Sequence, residues 1–265
     1  SRYYVQPGTP PRPEARQAFA EAVEVAGSRL APNRRETLDL LAEMLLGKES
    51  GSAGRTREPR RDELVVRFQQ TCGAVMAKGV EDTAFYRWTH LVSLCEVGGA
   101  PERFAISPEE LHAWAAHAQV HAPVAMTTLS THDAKRGEDT RARIGVLSEL
   151  PAGWSELVRT VRAVMAESRP SLLDGRTESL LWQTIAGTWD GCPIEAARLE
   201  EYLTKAGREA KEHTSWTTPD EAYERAVLGH ARAALAEPAV IAVFEAWAKR
   251  VAPGVRAATL GTKLV

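Results

Sequence analysis

The chain has 265 residues, of which 44% are hydrophobic, and 33 basic against 35 acidic side chains give a net charge of -2 at pH 7. This length and apolar content are enough to bury a core in one large domain or two ordinary ones, which indicates a globular protein. The charge balance includes no block of arginine or lysine that could follow a phosphate backbone, so nucleic acid is not expected as a partner.

The N-terminal part predicts a strand end or an irregular start, followed by two helices. Residues 2–6 can be extended and are stopped by a cluster of proline and glycine. Apolar residues then recur at helical spacing from Glu14 to Leu30 and again over residues 33–47, which predicts a helical hairpin. Residues 47–62 are polar, contain glycine and lack periodicity, so an exposed loop and the main internal boundary are expected there.

Two short runs have the residue types of a helix start. SPEE, residues 107–110, and TPDE, residues 218–221, each place a serine or threonine three residues before a glutamate, with proline at the first helical position. We therefore expect capping boxes at Ser107 and at Thr218.

Between these two starts lies the clearest predicted strand, VAMTTLS, residues 124–130. A helix should follow from about Ala134. One strand cannot form a sheet alone, because its backbone donors and acceptors would stay unpaired on both edges. Either the run is not a strand, or its neighbours lie outside this chain.

The C-terminal part is predicted to be helical. Apolar spacing predicts helices over residues 154–168, 177–189 and 194–211, and then a pair that starts near Thr218 and Pro238.

Several aromatic and histidine residues of these helices are assigned to packing. Trp114, Trp182 and Trp247 lie at core spacing, so we do not interpret them as platforms for sugar stacking. His230 shares an apolar helix face with Val227 and Ala234, which predicts a core histidine with satisfied hydrogen bonds.

His132 and Asp133 follow the predicted strand directly, at its corner with the next helix. Asp133 could simply cap that helix, and Ser130 with Asp133 has the spacing of a capping pair. Alternatively, Asp133 could stabilise positive charge and His132 could bind a hydroxyl, since barrel enzymes place active sites at the C-terminal ends of strands. The two residues alone leave both interpretations open.

A second candidate is the stretch VMAKGVEDTAFYRW, residues 75–88, which crowds polar groups into a short helix. Lys78 lies three and four residues before two acidic residues, so a solvated ion pair worth ~0.2–0.5 kcal/mol is the simpler interpretation. Otherwise, a hydroxyl-rich ligand could receive hydrogen bonds from the polar residues of this stretch, which are Lys78, Glu81, Tyr86 and Arg87.

Other classes of site have no support in the sequence. There is no phosphate-binding glycine loop, no H-E-x-x-H and no G-x-S-x-G motif. Cys72, Cys95 and Cys192 are widely spaced and predict neither a disulfide framework nor a zinc site. No apolar run approaches the roughly 18 residues of a membrane span, and no secretory signal is visible. A cytoplasmic protein without a metal or cofactor is expected.

Two stretches are more specific together than either is alone. RFQQTCGAVMAKGVEDTAFYRWTHLVSLCEVGG, residues 67–99, and TLSTHDAKRGEDTRARIGVLSELPAGW, residues 128–154, resemble the maltooligosyl trehalose synthase family of the α-amylase superfamily. The resemblance implies an isomerase that turns the reducing-end α-1,4 linkage of a maltooligosaccharide into the α,α-1,1 linkage of trehalose by intramolecular transglycosylation. No net hydrolysis and no cofactor are implied.

The resemblance also assigns roles to residues. The superfamily uses three carboxylates on a (β/α)8 barrel, and His132-Asp133 matches only the one after the seventh strand. Asp133 is thus implied as the catalytic transition-state stabiliser. The implied substrate-binding residues are His132, Lys78, Arg136, Glu138, Tyr86 and Arg87. Nothing resembles the nucleophile or the acid/base motif, so the isolated chain should be inactive without the remainder of the barrel.

The fold class implied is a mainly α fragment of a (β/α)8-barrel enzyme with helical insertions and only one to three barrel strands. We expect a strand end and helical hairpin over residues 1–60, and a barrel-derived segment over 61–150. A helical subdomain inserted before the eighth strand should cover 151–250, and 251–265 should return towards the barrel.

Two other functions were weighed against this one. A free-standing all-α interaction module, in which Asp133 merely caps a helix, remains an alternative. An ordinary amylase-type hydrolase is disfavoured by the specific stretch from Lys78 to Arg87.

Overall fold

The computed structural model describes residues 13–46, 59–131 and 133–264, and these residues are mainly helical. The helices are α1 Pro13–Arg29, α2 Arg35–Leu45, α3 Pro59–Met76, α4 Phe85–Arg87, α5 Pro108–His121, α6 Glu138–Gly145, α7 Pro151–Val164, α8 Gly175–Thr188, α9 Ala196–Ala210, α10 Glu221–Ala236 and α11 Pro238–Leu264. A π-helical segment, Ala77–Ala84, connects α3 to α4. The predicted mainly α class is confirmed.

The chain divides into two compact units, Ser1–Lys78 and Gly79–Val265. In the first unit α1 and α2 form the predicted hairpin, and α2 also packs on α3. Phe19 meets Phe68 edge to face, with 6.0 Å between ring centroids. The predicted strand at residues 2–6 and most of the predicted loop, residues 47–58, lie outside the described residues.

The remaining residues of that predicted loop, 59–62, are helical instead. Helix α3 begins at Pro59 and carries Asp62 in its first turn. Proline is favoured at the first helical position and an acidic side chain in the first turn complements the helix dipole, so the helix begins within the predicted loop.

Helix α8 lies at the centre of the second unit. Leu181, Trp182 and Ile185 have no exposed surface, and α6 and α11 pack against this helix. At Gly187 a side chain would collide with Ile144 of α6, since an added Cβ would come within 2.6 Å of it. Glycine is therefore what lets α6 approach α8 so closely.

The tryptophan predictions are confirmed for Trp182 and Trp247, which are buried. The prediction is wrong for Trp114, whose side chain is 58% exposed on α5. Helical spacing alone does not reveal which face of a helix meets the core, and α5 carries no buried residue among those described.

The two capping predictions have different outcomes. Ser107 forms the expected box: its hydroxyl accepts from the Glu110 amide, and the Glu110 carboxylate accepts from the Ser107 amide. Thr218 does not cap α10. Asp220 does so instead, accepting from the amides of Ala222 and Tyr223. Aspartate is as good a cap as threonine, and Asp220 directly precedes the first helical residue.

The strand predicted over residues 124–130 is not formed, and no strand occurs within residues 13–46, 59–131 and 133–264. Val124 is 94% exposed and Met126 is 97% exposed. A strand needs the backbone of a neighbour for its hydrogen bonds, and no described segment supplies one. Barrel strands thus stay a prediction. The next helix also starts later than expected, at Glu138 rather than Ala134.

Within the described part of the chain, no helix taken singly has the length and apolar composition to cross a membrane. Helices α10 and α11 meet that test only as a pair, and they are bent by 73° where they join.

Candidate functional site

The two sequence stretches that carry the family resemblance meet in the second unit. The ammonium of Lys135 donates a hydrogen bond of 2.7 Å to Asp82 Oδ1, and it lies 3.8 Å from Asp133 Oδ1. The Lys135 side chain is only 7% exposed, whereas that of Asp133 is 55% exposed. A buried cation thus holds a buried carboxylate on one side and faces an accessible carboxylate on the other.

Asp133 does not cap the helix that follows it. Helix α6 starts at Glu138 after Gly137, and no side chain caps it. Ser130 is also not a capping residue, since its hydroxyl donates to Glu138 Oε2 at 2.7 Å. That hydrogen bond is the main reason why the pKa of Glu138 is lowered. The Asp133 carboxylate is therefore left facing solvent, and His132 lies outside the described residues.

Two further carboxylates connect the stretches through the loop at residues 95–99. Glu96 accepts hydrogen bonds from the backbone amides of Lys135, at 2.8 Å, and Arg136, at 3.3 Å. Glu81 accepts from the amide of Gly98 at 3.0 Å. The loop therefore bridges the π-helical segment and the residues after Asp133.

The predicted ligand Arg136 points into the protein. Its guanidinium donates to the carbonyl of Val92 at 3.0 Å and to the hydroxyl of Tyr202, on α9, at 2.6 Å. Val92 is itself anchored, because its amide donates to Gln183 Oε1 at 2.9 Å. The amide group of Gln183 also donates to the carbonyl of Thr89 at 2.8 Å. The buried helix α8 thus holds the loop that Arg136 contacts.

Arg87 contacts the C-terminal end of α9. Its Nε donates to the carbonyl of Ala210 at 2.6 Å, and its terminal nitrogen to that of Lys211 at 3.5 Å. The last carbonyls of a helix lack partners within the helix and carry the negative end of its dipole. Arg87, the last residue of α4, therefore attaches α4 to the C-terminal end of α9.

Tyr86 is buried beside α9, and burial is the main cause that raises its pKa, with Tyr202 adding to the effect. Its hydroxyl therefore stays protonated at neutral pH. Tyr86 lines a cavity of about 20 Å³ that His213 and Tyr223 also border. Such a cavity has room for about one water molecule, so it is too small for a sugar ring.

Lys78, the remaining predicted ligand, is exposed and ends the first unit. It lies on the π-helical segment Ala77–Ala84, a rare conformation that is frequent at functional sites. The acidic residues that follow it are engaged with later parts of the chain, Glu81 with Gly98 and Asp82 with Lys135.

Three residues of this arrangement were missed by sequence reasoning as members of the site: Asp82, Glu96 and Lys135. All three lie inside the matched stretches, but their contacts cross 39 residues for Glu96 and Lys135 and 53 for Lys135 and Asp82. The one local signal was the pair of glycines after Glu96, which predicts a turn but not the partner of its carboxylate.

Across the described side chains, no three His, Cys, Asp or Glu residues are grouped as metal ligands.

Known proteins are similar to this chain over most of its length. No protein-family model matches it. A Mycobacterium tuberculosis (strain CDC 1551 / Oshkosh) protein named as a maltooligosyl trehalose synthase is 48% identical over 174 residues, which are 64% of this chain and 22% of the relative. The maltooligosyltrehalose synthase structure from Arthrobacter ramosus has a TM-score of 0.75 at 37% identity, over 94% of this chain and 30% of that one. A DSM5389 glycosyltrehalose synthase has a TM-score of 0.68 at 29% identity, over 91% of this chain and 33% of that one.

These similarities confirm the resemblance to maltooligosyl trehalose synthases. They apply to a segment of those proteins, because the chain spans 22% of the length of the curated relative and 30% of the Arthrobacter ramosus chain.

Proposed function

We propose that this chain is the part of a maltooligosyl trehalose synthase that supplies Asp133 to the active site. The observation that carries the proposal is the contact of Lys135 with Asp82 and Asp133, because it joins the two family stretches around an accessible carboxylate. The exposed side chain of Asp133, free of any capping role, is also what a group that meets a ligand requires.

The proposed reaction rearranges the reducing end of a maltooligosaccharide. The last α-1,4 linkage is broken as a glycosyl-enzyme forms, and the released glucose stays bound. Its anomeric hydroxyl then attacks the glycosyl-enzyme and displaces the enzyme nucleophile, which forms the α,α-1,1 linkage. Retention of configuration needs two inversions through a covalent glycosyl-enzyme, with nucleophile and acid roughly 5–5.5 Å apart. We propose that both groups come from parts of the enzyme other than this chain, so that the isolated chain is inactive.

Asp133 would act on charge. An oxocarbenium-like centre forms while each glycosidic bond breaks, and a fixed carboxylate in a water-poor cleft stabilises it much more than one in bulk solvent. The ammonium of Lys135 lies 3.8 Å from the Asp133 carboxylate. Its hydrogen bond goes to Asp82, so the negative charge of Asp133 is not fully compensated.

The substrate-binding residues fall into two groups under this proposal. Lys78, His132 and Glu138 are assigned to direct contact with sugar hydroxyls, with Lys78 holding the glucose while it turns; Lys78 is exposed and Glu138 is half-buried. Tyr86 is buried, and the guanidinium groups of Arg87 and Arg136 are already hydrogen-bonded to other parts of the protein. We assign these three to shaping the wall of the site as much as to binding. Holding the glucose in place makes the second step effectively unimolecular.

A free-standing helical interaction module is the second candidate. The helical core of the second unit is the observation in its favour. The role it gave to Asp133, capping α6, is not what the structure contains. Residues 124–128 are also exposed and form no helix, unlike a segment packed within a helical module.

The proposal is tested with maltopentaose as substrate. The intact protein that carries this chain should convert it to a trehalose-ended isomer, with loss of the reducing end and little release of glucose. The isolated chain, assayed at the same concentration, should show no conversion. Turnover by the pure chain would refute the division of catalytic groups, and free glucose as the main product would indicate a hydrolase instead.

A further inference from the structure

We infer that Glu96 is a positioning residue that fixes the turn presenting Asp133. This inference rests on the proposed function, in which Asp133 is a catalytic carboxylate. The residues between Asp133 and α6 have no regular secondary structure, so something outside them must hold the turn. The carboxylate of Glu96 is the group that does so.

Both carboxylate oxygens of Glu96 accept hydrogen bonds from backbone amides. Oε1 accepts from the amide of Lys135 at 2.8 Å and from that of Val97 at 2.8 Å, while Oε2 accepts from the amide of Arg136 at 3.3 Å. The guanidinium of Arg141 lies 3.9 Å from Oε2. Hydrogen bonds from amides to an ionised carboxylate are about twice as strong as neutral ones, so these contacts hold the backbone firmly.

Lys135 and Arg136, whose amides donate to Glu96, are the second and third residues after Asp133. Among the described residues of this turn, the amide of Ala134 donates to the carbonyl of Thr131 at 3.2 Å. Without Glu96, the amides of Lys135 and Arg136 would lose the acceptors that define their direction. The position of Asp133 therefore depends on a carboxylate 39 residues from Lys135 in sequence.

Glu96 is itself held by a tight turn. Gly98 has a φ of 73°, a conformation that costs other residues energy, and its amide is bound by Glu81. At Gly99 a side chain would collide with the carbonyls of Leu94 and Glu96, since an added Cβ would lie 2.8 Å from each. The run EVGG thus needs both glycines to aim Glu96 at the turn.

Glu96 is not placed to bind sugar itself. Its side chain is 15% exposed and both of its oxygens already accept backbone hydrogen bonds. A carboxylate used in this way acts through the geometry of Asp133. This distinguishes it from Glu138, whose carboxylate accepts a hydrogen bond from the side chain of Ser130.

The first test measures amide hydrogen exchange in this chain, which needs no activity. In Glu96→Gln one oxygen becomes an amide group that cannot accept from a backbone amide, so the amides of Lys135 and Arg136 should exchange at least ~10-fold faster. Glu110→Gln is the matched control, since Glu110 also accepts a backbone hydrogen bond, at Ser107, on the separate helix α5. Unchanged exchange at Lys135 and Arg136 in Glu96→Gln would overturn the inference.

The second test uses the intact protein and maltopentaose. Displacement of a reacting group by about 1 Å can cost about 100-fold in rate, so Glu96→Gln should lower kcat by roughly 10- to 100-fold, with KM nearly unchanged. Glu96→Asp, which keeps the charge, should recover part of that loss. The Glu110→Gln variant should have normal kcat, even if its melting temperature falls.

The outcomes separate the inference from the proposed function. Faster exchange with normal kcat in Glu96→Gln means that Glu96 only stabilises the loop, and this result overturns the positioning role. If the unsubstituted intact protein does not convert maltopentaose, the proposed function and the catalytic purpose of Glu96 both fail. Faster exchange would then still identify Glu96 as the anchor of this turn.

Discussion

Lys135 donates a hydrogen bond of 2.7 Å to Asp82, a residue 53 positions earlier in the sequence. Both side chains are largely buried. The pair connects the π-helical segment to the turn after Asp133, so it ties together the two parts of the chain that resemble maltooligosyl trehalose synthases. Loss of this ion pair should therefore lower the stability of the protein and disturb the candidate site.

Replacing Lys135 by methionine keeps most of the side-chain volume and removes the charge. Asp82 would then keep a largely buried charge without this cation, and removing one partner of such a hydrogen bond costs about 1–3 kcal/mol of unfolding free energy. We expect Lys135→Met to lower the urea midpoint clearly. The matched control is Lys249→Met, because Lys249 forms an ion pair of the same length with Glu245 but both side chains are exposed. An equal effect in the two variants would contradict the account of Lys135.

Glu178 is the second buried charge with a testable role. It is contacted by Arg162 and Arg169, each at 3.0 Å, and its own side chain is almost completely buried. Glu178→Gln leaves two arginines without their carboxylate, which should cost about 1–3 kcal/mol of unfolding free energy. Chemical denaturation measures this, and an unchanged midpoint would mean that the arginines find other acceptors.

His230 should make stability depend on pH. The predicted burial of this histidine is confirmed, but the prediction of satisfied hydrogen bonds is wrong, because among the described residues neither ring nitrogen has a hydrogen-bond partner in good geometry. Burial is the main cause that lowers its pKa; the charge of Arg169 adds to the shift, while Glu178 and the backbone of Ser168 oppose it. The ring is therefore neutral in the folded protein at neutral pH.

The sign of the pH effect follows from that lowered pKa. An unfolded histidine takes up a proton below about pH 6.5, whereas the buried ring resists it. The folded state should thus lose stability as the pH falls from about 6.5 towards the lowered pKa, by at most about 1.4 kcal/mol per pH unit. His230→Leu should flatten this part of the curve, and His112→Gln, a change on the exposed helix α5, should not. Parallel curves for the original protein and His230→Leu would contradict the assignment.

The cysteines should differ in reactivity. Burial raises the pKa of Cys95 to about 11, with Glu96 acting in the same direction and Arg136 against it. Since the thiolate is the reactive form, iodoacetamide at pH 8 should modify the exposed Cys72 and Cys192 and leave Cys95 intact. Mass spectrometry of the native protein measures this, and early labelling of Cys95 would mean that the loop at residues 95–99 opens readily.

Features that depend on neighbouring residues in sequence were predictable. The helices of the C-terminal part, the hairpin at the N-terminus and the cap at Ser107 follow from apolar spacing and local hydrogen bonding. The cap of α10 was misplaced by two residues because Thr218 and Asp220 are both good caps. Only the position at which α10 begins decides which of the two residues is its cap.

Features that depend on distant partners were not predictable. The segment 124–130 has the composition of a strand, yet a strand forms only beside another strand, and the sequence does not say where that neighbour is. Glu96 and Lys135 were missed for the same reason, since their roles arise from contacts 39 and 53 residues away in sequence. The resemblance predicts a catalytic role for Asp133, whereas the structure shows the hydrogen bonds of Glu96 to the amides of Lys135 and Arg136.

The central claim is that the carboxylate of Asp133 takes part in the rearrangement of a maltooligosaccharide. Its most direct test is the turnover of maltopentaose by the intact protein carrying Asp133→Asn, compared with Asp190→Asn, which neutralises another exposed aspartate paired with a cation. The account predicts that Asp133→Asn remains folded and loses conversion by at least ~1,000-fold, as expected when a large electrostatic contribution is removed, while Asp190→Asn keeps normal activity. Near-normal turnover by Asp133→Asn would contradict it.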